Sequence, residues 1–296
     1  MRSVLLLCLF AAFVGAPLTA QEFSGGFRAG LNFISYDGDA ETSADGATTF
    51  EEFRRTTGFH VGATFALNFT DLVGIKADLM YNQKGGEKRF AGPSYFYLYT
   101  NRDDREGVPN FGTLDAEIDV VNSYIDIPVV GFYRLGIFEL EAGASMGFLI
   151  NSRASGGLRY SDVRLAQGVT LTEDVIFNID GSYFTDDAGG GGVVNRSETE
   201  LGNTGIFPPS VISAYYNNGS DEKLYRRLDF AVLAGVSVYL NNGLFLGVRY
   251  QHGLSDVTKG ENDLRLANED RVEGREFNTD DRDYSRSIQA SIGFRF

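Results

Sequence analysis

Eight segments of this chain alternate apolar and polar residues with a period of two, and no other feature constrains the fold as strongly. The clearest runs from Phe138 to Phe148, where apolar residues at even positions alternate with Glu, Gly and Ser at odd positions. Such alternation predicts β-strands with one apolar and one polar face. The eight segments span residues 27–33, 59–69, 73–82, 125–134, 138–148, 228–239, 244–251 and 287–296.

The apolar faces of these segments are suited to contact with lipid. Beyond residue 20 the chain has no run of about 18 apolar residues, the length that a membrane-spanning helix needs. Helices and closed barrels are the structures that satisfy every backbone hydrogen bond within lipid. We therefore predict an all-β fold, an eight-stranded antiparallel transmembrane β-barrel.

The N-terminal residues have the pattern of an export signal. A positive start is followed by an apolar run over residues 4–14 and by small residues ending at Ala20. We expect residues 1–20 to be a cleaved signal peptide and residues 21–296 to be the mature barrel domain, located in the cell outer membrane. Because the only cysteine, Cys8, lies in the signal, no disulfide is expected in the mature protein.

The connections between the predicted strands alternate in length. Three are short, and the one at residues 241–243 carries an Asn-Gly pair that favours a tight hairpin. Short periplasmic turns and long extracellular loops are typical of outer-membrane barrels. Within the third long loop, short strands are expected at Val175–Ile179 and Val211–Tyr215. The four long loops are predicted at residues 37–56, 84–122, 151–225 and 254–284.

Charge is distributed unevenly between these loops and the strands. The four loops hold 33 acidic and 17 basic residues, whereas the whole chain has a net charge of −14. The strands are therefore close to neutral, and the loops are acidic and hydrated, as expected of an exposed surface. A net negative charge of this size argues against a nucleic-acid partner.

The polar rows of the predicted strands carry five acidic and five basic residues. An eight-stranded barrel is filled by its own side chains, and charges held away from water need partners. We therefore predict an ion-paired polar plug in the lumen rather than an open pore. The ten residues are Arg28, Lys76, Asp78, Asp126, Arg134, Glu139, Glu141, Asp229, Arg249 and Arg295.

Aromatic residues fall near the ends of the predicted strands, where barrels carry girdles at the two membrane interfaces. Three tyrosines are expected at the outer interface, and one tyrosine and three phenylalanines at the inner one. The outer group is Tyr81, Tyr250 and Tyr284, and the inner group is Phe69, Tyr133, Phe138 and Phe296.

Three segments resemble a known family, the PorT-like outer-membrane β-barrel proteins of Bacteroidota. They are Phe27–Phe33 (FRAGLNF), Tyr124–Tyr133 (YIDIPVVGFY) and Ser287–Phe296 (SIQASIGFRF). The resemblance implies an outer-membrane barrel inserted by the barrel assembly machinery, and a role in protein secretion for some members. It also implies that the C-terminal row is the signal which that machinery reads. This row comprises Ile288, Ala290, Ile292, Phe294 and Phe296.

The predicted loops, roughly 160 residues in all, favour a structural role or binding of extracellular partners at the surface, with outer-membrane lipid around the barrel. An outer-membrane component that assists secretion is one alternative. A lipid or ester hydrolase is another, because His60 beside Thr64 and a carboxylate could form a catalytic group. The structural interpretation places His60 in the polar plug and His252 at the solvated rim.

Metal and cofactor sites are not predicted. Four acidic pairs in the loops are rich in oxygen ligands and could bind Ca²⁺ weakly, but none has the spacing of a calcium-binding loop. The pairs are Asp37 with Asp39, Asp103 with Asp104, Asp186 with Asp187, and Asp280 with Asp281.

Overall fold

The computed structural model describes residues 22–98, 108–165, 168–182, 194–196, 225–241, 243–259, 265–271 and 282–296. Three predicted features lie outside these ranges: the signal peptide, the strand at Val211–Tyr215, and the three acidic pairs that follow residue 100. All regular secondary structure in the described ranges is β. No helix in these ranges is long and apolar enough to cross a membrane.

Eleven strands are present in the described ranges. They are β1 (Glu22–Asp37), β2 (Glu51–Arg54), β3 (Thr56–Asn68), β4 (Val73–Leu98), β5 (Val108–Leu135), β6 (Phe138–Arg164), β7 (Val175–Ser182), β8 (Val194–Arg196), β9 (Leu228–Tyr239), β10 (Leu244–Asp256) and β11 (Tyr284–Arg295). The short strand predicted at Val175–Ile179 is confirmed as part of β7.

Eight of these strands close into an antiparallel barrel. The order around the ring is β1, β3, β4, β5, β6, β9, β10 and β11, and β11 pairs with β1 from Arg295 opposite Gly26 to Tyr284 opposite Asp37. This closed ring confirms the predicted fold. The other three strands extend the sheet, because β2 pairs with β4, β7 with β6, and β8 with β7.

Tight turns join strand pairs at the end of the barrel that also holds both termini of the sheet. The Thr70 hydroxyl accepts hydrogen bonds from the backbone N–H groups of Leu72 and Val73 at 3.2 and 3.0 Å. Gly136 has a φ of +61°, which glycine adopts without strain, and it turns β5 into β6. The Asn241 side chain accepts from Leu244 N–H at 2.7 Å.

Pro128 lies in the middle of β5 without a β-bulge. Pairing between β4 and β5 is interrupted next to it, between Ala77 opposite Val129 and Met80 opposite Asp126, but the register is the same on both sides. The missing N–H of proline explains the interruption. A bulge is a common way for a sheet to accommodate proline, but the register of β5 against β6 shifts at Ser123–Tyr124 instead.

The predicted bounds of the second and third long loops are also wrong in part. Strand β4 continues to Leu98, β5 begins at Val108 and β6 continues to Arg164, so residues 84–98, 108–122 and 151–164 are strand rather than loop. These extensions pair with one another over most of their length. They persist beyond the membrane-sized segment because they enclose a second core.

The two faces of β5 exchange character along its length. In the lower part the outward residues Ile127 and Val129 are exposed and apolar, whereas the inward Asp126 is buried and polar. In the upper part the outward Asp115 and Glu117 are exposed and charged, and the inward Leu114, Ala116, Ile118 and Val120 are buried. The same chain thus forms a lipid-facing strand below and a strand suited to water above.

We call the upper part of the molecule the head. It consists of the extensions of β4, β5 and β6 together with β2, β7 and the described loop segments that pack on them. Its core is apolar and aromatic, whereas the lumen of the barrel below is polar. The core contains Tyr36, Phe90, Tyr95, Phe96, Phe111, Leu114, Ala116, Ile118, Val120, Tyr124, Leu149, Ala154, Leu158, Tyr160, Val163, Val175, Tyr225, Val257, Leu266 and Ala267.

Candidate functional site

The ten charged residues predicted for the lumen all point into the barrel. Eight of them are buried, whereas Arg134 and Arg295 keep partial exposure at the inner end. Each takes part in at least one ion pair. The barrel therefore holds ion-paired charges at three levels, a lower, a middle and an upper one.

Two arginines and two carboxylates form the middle level. Arg249 on β10 lies 3.1 Å from Asp78 on β4 and 2.8 Å from Glu141 on β6. Arg28 on β1 approaches the same two acids at 3.3 and 3.7 Å. Four strands thus contribute to one neutral cluster, in which each buried charge has two partners of opposite sign.

Glu139 is the centre of the lower level. Its carboxylate accepts hydrogen bonds from Lys76 at 2.7 Å and from Arg134 at 2.9 Å, and Arg295 lies 3.4 Å away. Lys76 also binds Glu141, which connects this level to the middle one. Because Arg134 and Arg295 are partly exposed, this level marks the mouth of the barrel on the side of the short turns.

The upper level depends on Lys84, which was not among the predicted residues. Its ammonium group donates to Asp229 at 2.7 Å and to Asp126 at 3.1 Å, and it lies 4.7 Å from the centre of the Tyr124 ring. We had placed Lys84 at the start of a loop. Its position on the inward row that holds Lys76, Asp78, Met80 and Asn82 was the signal that could have identified it.

His60 takes part in a buried hydrogen-bond chain across three strands. Its Nδ1 lies 2.6 Å from Asn32 Oδ1 and its Nε2 lies 2.9 Å from Ser291 Oγ. The order serine, histidine, amide is that of a hydrolase triad. However, His60 is 1% and Ser291 7% exposed within the filled lumen, and the Thr64 hydroxyl has no partner among the described residues.

His252 lies near the outer end of β10, where its ring faces the Tyr250 hydroxyl at 3.4 Å.

The aromatic residues predicted for the girdles lie at the two ends of the apolar belt. Tyr81 contacts Phe59, with 5.3 Å between ring centroids, and its hydroxyl lies 2.7 Å from Ser123 Oγ. The lower residues Tyr133, Phe138 and Phe296 are exposed, Phe69 is half-buried there, and at the upper end Tyr250 is exposed and Tyr284 half-buried. Along β11, the C-terminal row places Ile288, Ala290, Ile292 and Phe294 on the outward face.

A second set of charges, which the sequence analysis missed, lies inside the head. Lys88 on β4 binds the buried Asp283 and lies 5.1 Å from the centre of the Phe53 ring. Glu51 on β2 accepts a hydrogen bond from Glu41 N–H at 3.2 Å. Burial raises the pKa of Glu51 to about 7. The negative charges of Glu41 and Asp283 also raise this pKa, whereas the positive charge of Lys88 lowers it.

Glu41 joins the first long loop to the fourth. Its carboxylate accepts hydrogen bonds from the backbone N–H groups of Leu266 at 2.7 Å and Ala267 at 2.8 Å. The Tyr95 hydroxyl on β4 donates to the Arg265 carbonyl at 2.9 Å in the same segment. The fourth loop is thus attached both to the first loop and to the core of the head. Burial raises the pKa of the Glu41 carboxyl above its ordinary value.

Comparison with known families agrees with this architecture. A family described as "Outer membrane protein beta-barrel domain" matches residues 19–259, which is most of the chain. The chain belongs to this family. As an outer-membrane β-barrel protein, it lies in the cell outer membrane with its apolar belt in lipid. The head is then extracellular and the short turns are periplasmic.

Several solved outer-membrane barrels are similar in structure, at low sequence identity. Neisserial surface protein A is 10% identical, with a TM-score of 0.34, over 93% of this chain and 99% of that one. Ail of Yersinia pestis is 8% identical, with a TM-score of 0.33, over 93% and 99%. OprG of Pseudomonas aeruginosa is 11% identical, with a TM-score of 0.36, over 94% and 97%. No curated protein sequence matches the chain.

Proposed function

We propose that the barrel anchors the head and that the head binds partners at the cell surface. The observation that carries this proposal is the exchange of faces along β5, which gives the head an apolar core outside the membrane. A packed core holds the exposed residues of the head in fixed positions. Binding residues placed on rigid strands are held more accurately than residues on solvated loops.

Contacts between the loops support the same proposal. The attachment of Leu266 and Ala267 to Glu41, and of Arg265 to Tyr95, holds the described segments of the first and fourth loops against one another and against the head. Long ordered connections are more often functional than short ones. On the outward row of β5, Glu117 is paired with Arg89 and Asp115 lies opposite Arg159 of β6, so this face offers charges of both signs to a partner.

Within the family, we place the chain among the PorT-like proteins of Bacteroidota. The Tyr-Ile-Asp-Ile-Pro run at residues 124–128 supports this assignment, and its inward residues have distinct tasks. Tyr124 and Asp126 both contact Lys84, and Pro128 interrupts the β4–β5 ladder. A role in assisting protein secretion is the alternative function that this resemblance supports, with the head as the surface that binds a secretion component.

Photo-crosslinking on living cells tests the proposal. Benzoylphenylalanine at Thr113 or Arg159, both exposed on the head, should give a discrete adduct with a surface glycan or protein. The same residue at Val129, in the lipid-facing row, is the matched control and should give none. An adduct with a component of a secretion complex would favour the alternative, and the absence of any discrete adduct on the head would overturn the binding role.

A variant in the core of the head tests whether the crosslinked adduct depends on the folded head. Leu158 is buried in the head, and Leu158→Ala should destabilise that region by about 2–5 kcal/mol through loss of packing. The adduct should then weaken, while the barrel still inserts and keeps its heat-modifiable mobility on gels. An adduct of unchanged yield would show that binding does not depend on the fold of the head.

A further inference from the structure

A lysine and an aspartate from distant parts of the chain meet inside the head. Lys88 on β4 and Asp283, the residue before β11, are 195 positions apart, and their Nζ and Oδ2 atoms lie 2.5 Å from one another. In the ring of strands β4 and β11 are separated by β3 and β1, so the contact connects strands that are not neighbours. Asp283 is almost fully buried and Lys88 is mostly buried.

The surroundings of this pair are aromatic and tightly packed. The Lys88 ammonium group lies 5.1 Å from the centre of the Phe53 ring and 5.5 Å from that of the Tyr36 ring. A Cβ atom added at Gly38 would lie 2.8 Å from Asp283 Oδ1, and this oxygen has no hydrogen-bond partner among the described residues. Burial disfavours charged forms, so a proton moves from an ammonium group to a carboxylate more readily in such surroundings than in water.

A second carboxyl group, that of Glu51 on β2, lies beside the pair. Phe53 is directly opposite Lys88 in the β2–β4 ladder, and Glu51 is two residues before Phe53 on the same side of the strand. Glu51 and Lys88 are therefore diagonal neighbours, which are about 7–8 Å apart in a regular sheet and within reach of long side chains. Glu51 is buried and has a pKa of about 7, so near neutral pH it is able both to donate and to accept a proton.

We propose that Lys88 and Asp283 become joined by a spontaneous isopeptide bond, with Glu51 as the group that transfers protons. The three side chains supply an amine, a carboxyl group in contact with it, and an adjacent acid inside an enclosure of aromatic rings. The chain has a single cysteine, so it cannot form a disulfide within itself, and an amide is a covalent cross-link that its other side chains are able to form. The proposal is independent of what the head binds.

The reaction balances without an oxidant or a co-substrate. The ammonium group first gives a proton to the Asp283 carboxylate, which leaves a neutral amine beside a neutral carboxyl group. The Lys88 Nζ lone pair attacks Asp283 Cγ, and the C–N bond forms. Glu51 donates its proton to the hydroxyl oxygen and takes one from Nζ, so that the C–O bond breaks and one water molecule leaves. Glu51 is regenerated, and the products are an amide and water.

Bond formation removes the charges of Lys88 and Asp283 together. Glu51 then loses one neighbour that lowers its pKa and one that raises it, so burial still raises this pKa. The cross-link closes a loop across 195 positions, and long loops gain the most stability from a cross-link. This gain is present at every pH, which separates it from the titration of Glu51.

Mass spectrometry of the denatured protein, purified from outer membranes, tests the proposal. Trypsin should release residues 85–89 joined to residues 283–286, because Lys88 in an amide is no longer a cleavage site. Lys88→Arg keeps the positive charge but cannot form the bond. After allowance for the substitution, the wild type should be lighter than this variant by the mass of one water molecule. Unlinked peptides from the wild type would overturn the proposal, and this result does not require that any variant folds.

Two variants of β2 test the role of Glu51. Glu51→Gln leaves the Lys88–Asp283 pair in place but cannot exchange protons, so the yield of the linked peptide should fall at least about tenfold. Glu52→Gln changes the exposed neighbour on the same strand and is the matched control, which should link as the wild type does. Linking of Glu51→Gln at the yield of the wild type would overturn Glu51 as the group that transfers protons.

Succinimide formation also releases water, and Asp45 followed by Gly46 is a step at which this reaction occurs. The digest distinguishes the two products, because a succinimide lies within one peptide and the isopeptide bond joins two. A wild type that has lost water at Asp45, without the linked peptide, would overturn the proposal.

Discussion

The Lys84 ammonium group donates a hydrogen bond to Asp229 across the upper end of the barrel at a distance of 2.7 Å. The two residues are 145 positions apart in the chain, and both side chains are almost fully buried. Lys84 also binds Asp126, so one cation serves two carboxylates at the boundary between the polar lumen and the apolar head.

Replacing Lys84 with methionine should strongly destabilise the barrel. The variant leaves Asp126 and Asp229 buried with no cation, and removal of one partner of a buried pair costs about 3–5 kcal/mol. Equilibrium unfolding in lipid vesicles measures the loss. The control is Arg54→Ala, whose ion pair with Glu52 is exposed to solvent and should contribute little to stability. Equal effects in the two variants would contradict the central role of Lys84.

A charge on the outward row of β5 should be costly below the membrane boundary and nearly neutral above it. Val129→Arg places a cation in the lipid-facing row and should cost about 2–4 kcal/mol. Thr113→Arg lies on the same row of the same strand, within the head, and should change stability by less than about 0.5 kcal/mol. Unfolding of both variants in vesicles tests the position of the boundary, and a large cost at Thr113 would place lipid where we describe water.

The head should become less stable as the pH rises from about 4.5 to about 7. The pKa of Glu51 is raised from 4.5 to about 7 in the folded head, so the folded state holds a proton that the unfolded state releases. The stabilisation is complete below pH 4.5 and is lost as Glu51 ionises, with a maximum effect of about 3 kcal/mol. Glu41, whose pKa is also raised, contributes in the same direction.

Hydrogen exchange of the β2 amides, corrected for intrinsic rates, measures this effect at pH 5 and pH 8. The wild type should lose protection at pH 8, whereas Glu51→Gln, which stays uncharged, should keep most of it. Glu52→Gln changes the exposed neighbour on the same strand and should behave as the wild type. A pH dependence that survives in Glu51→Gln would assign the titration to another group.

Ser291→Ala tests the hydrolase alternative directly. We expect a loss of stability of about 1 kcal/mol, because the His60 ring loses one hydrogen-bond partner. Neither the wild type nor Ser291→Ala should hydrolyse phospholipid or a nitrophenyl ester. Ser145→Ala is the matched lumen control, since the Ser145 hydroxyl has no partner among the described residues and its removal should cost less. Hydrolysis by the wild type that disappears in Ser291→Ala would establish the enzyme.

The head was missed although its alternation is visible in the sequence. Leu114, Ala116, Ile118 and Val120 alternate with Thr113, Asp115, Glu117 and Asp119, a pattern as regular as that of any barrel strand. The segment was interpreted as loop because its outward residues are acidic. In the lower part of β5 the outward residues are the apolar ones. The apolar–polar alternation shifts by one residue at the adjacent pair Val120–Val121, where the surroundings of the outward face of β5 change from water to lipid.

The sequence by itself determined the membrane-spanning strands and the supply of charges for the lumen. Lipid tolerates only an apolar outward row and closed backbone pairing, so eight alternating segments allow few other folds. The tertiary structure decided which charges meet. The stagger of strands around a closed ring places Lys84 level with Asp126 and Asp229, and Arg249 level with Asp78 and Glu141. Separation along the chain carries no information about that level, since it depends on the register of all eight strands together.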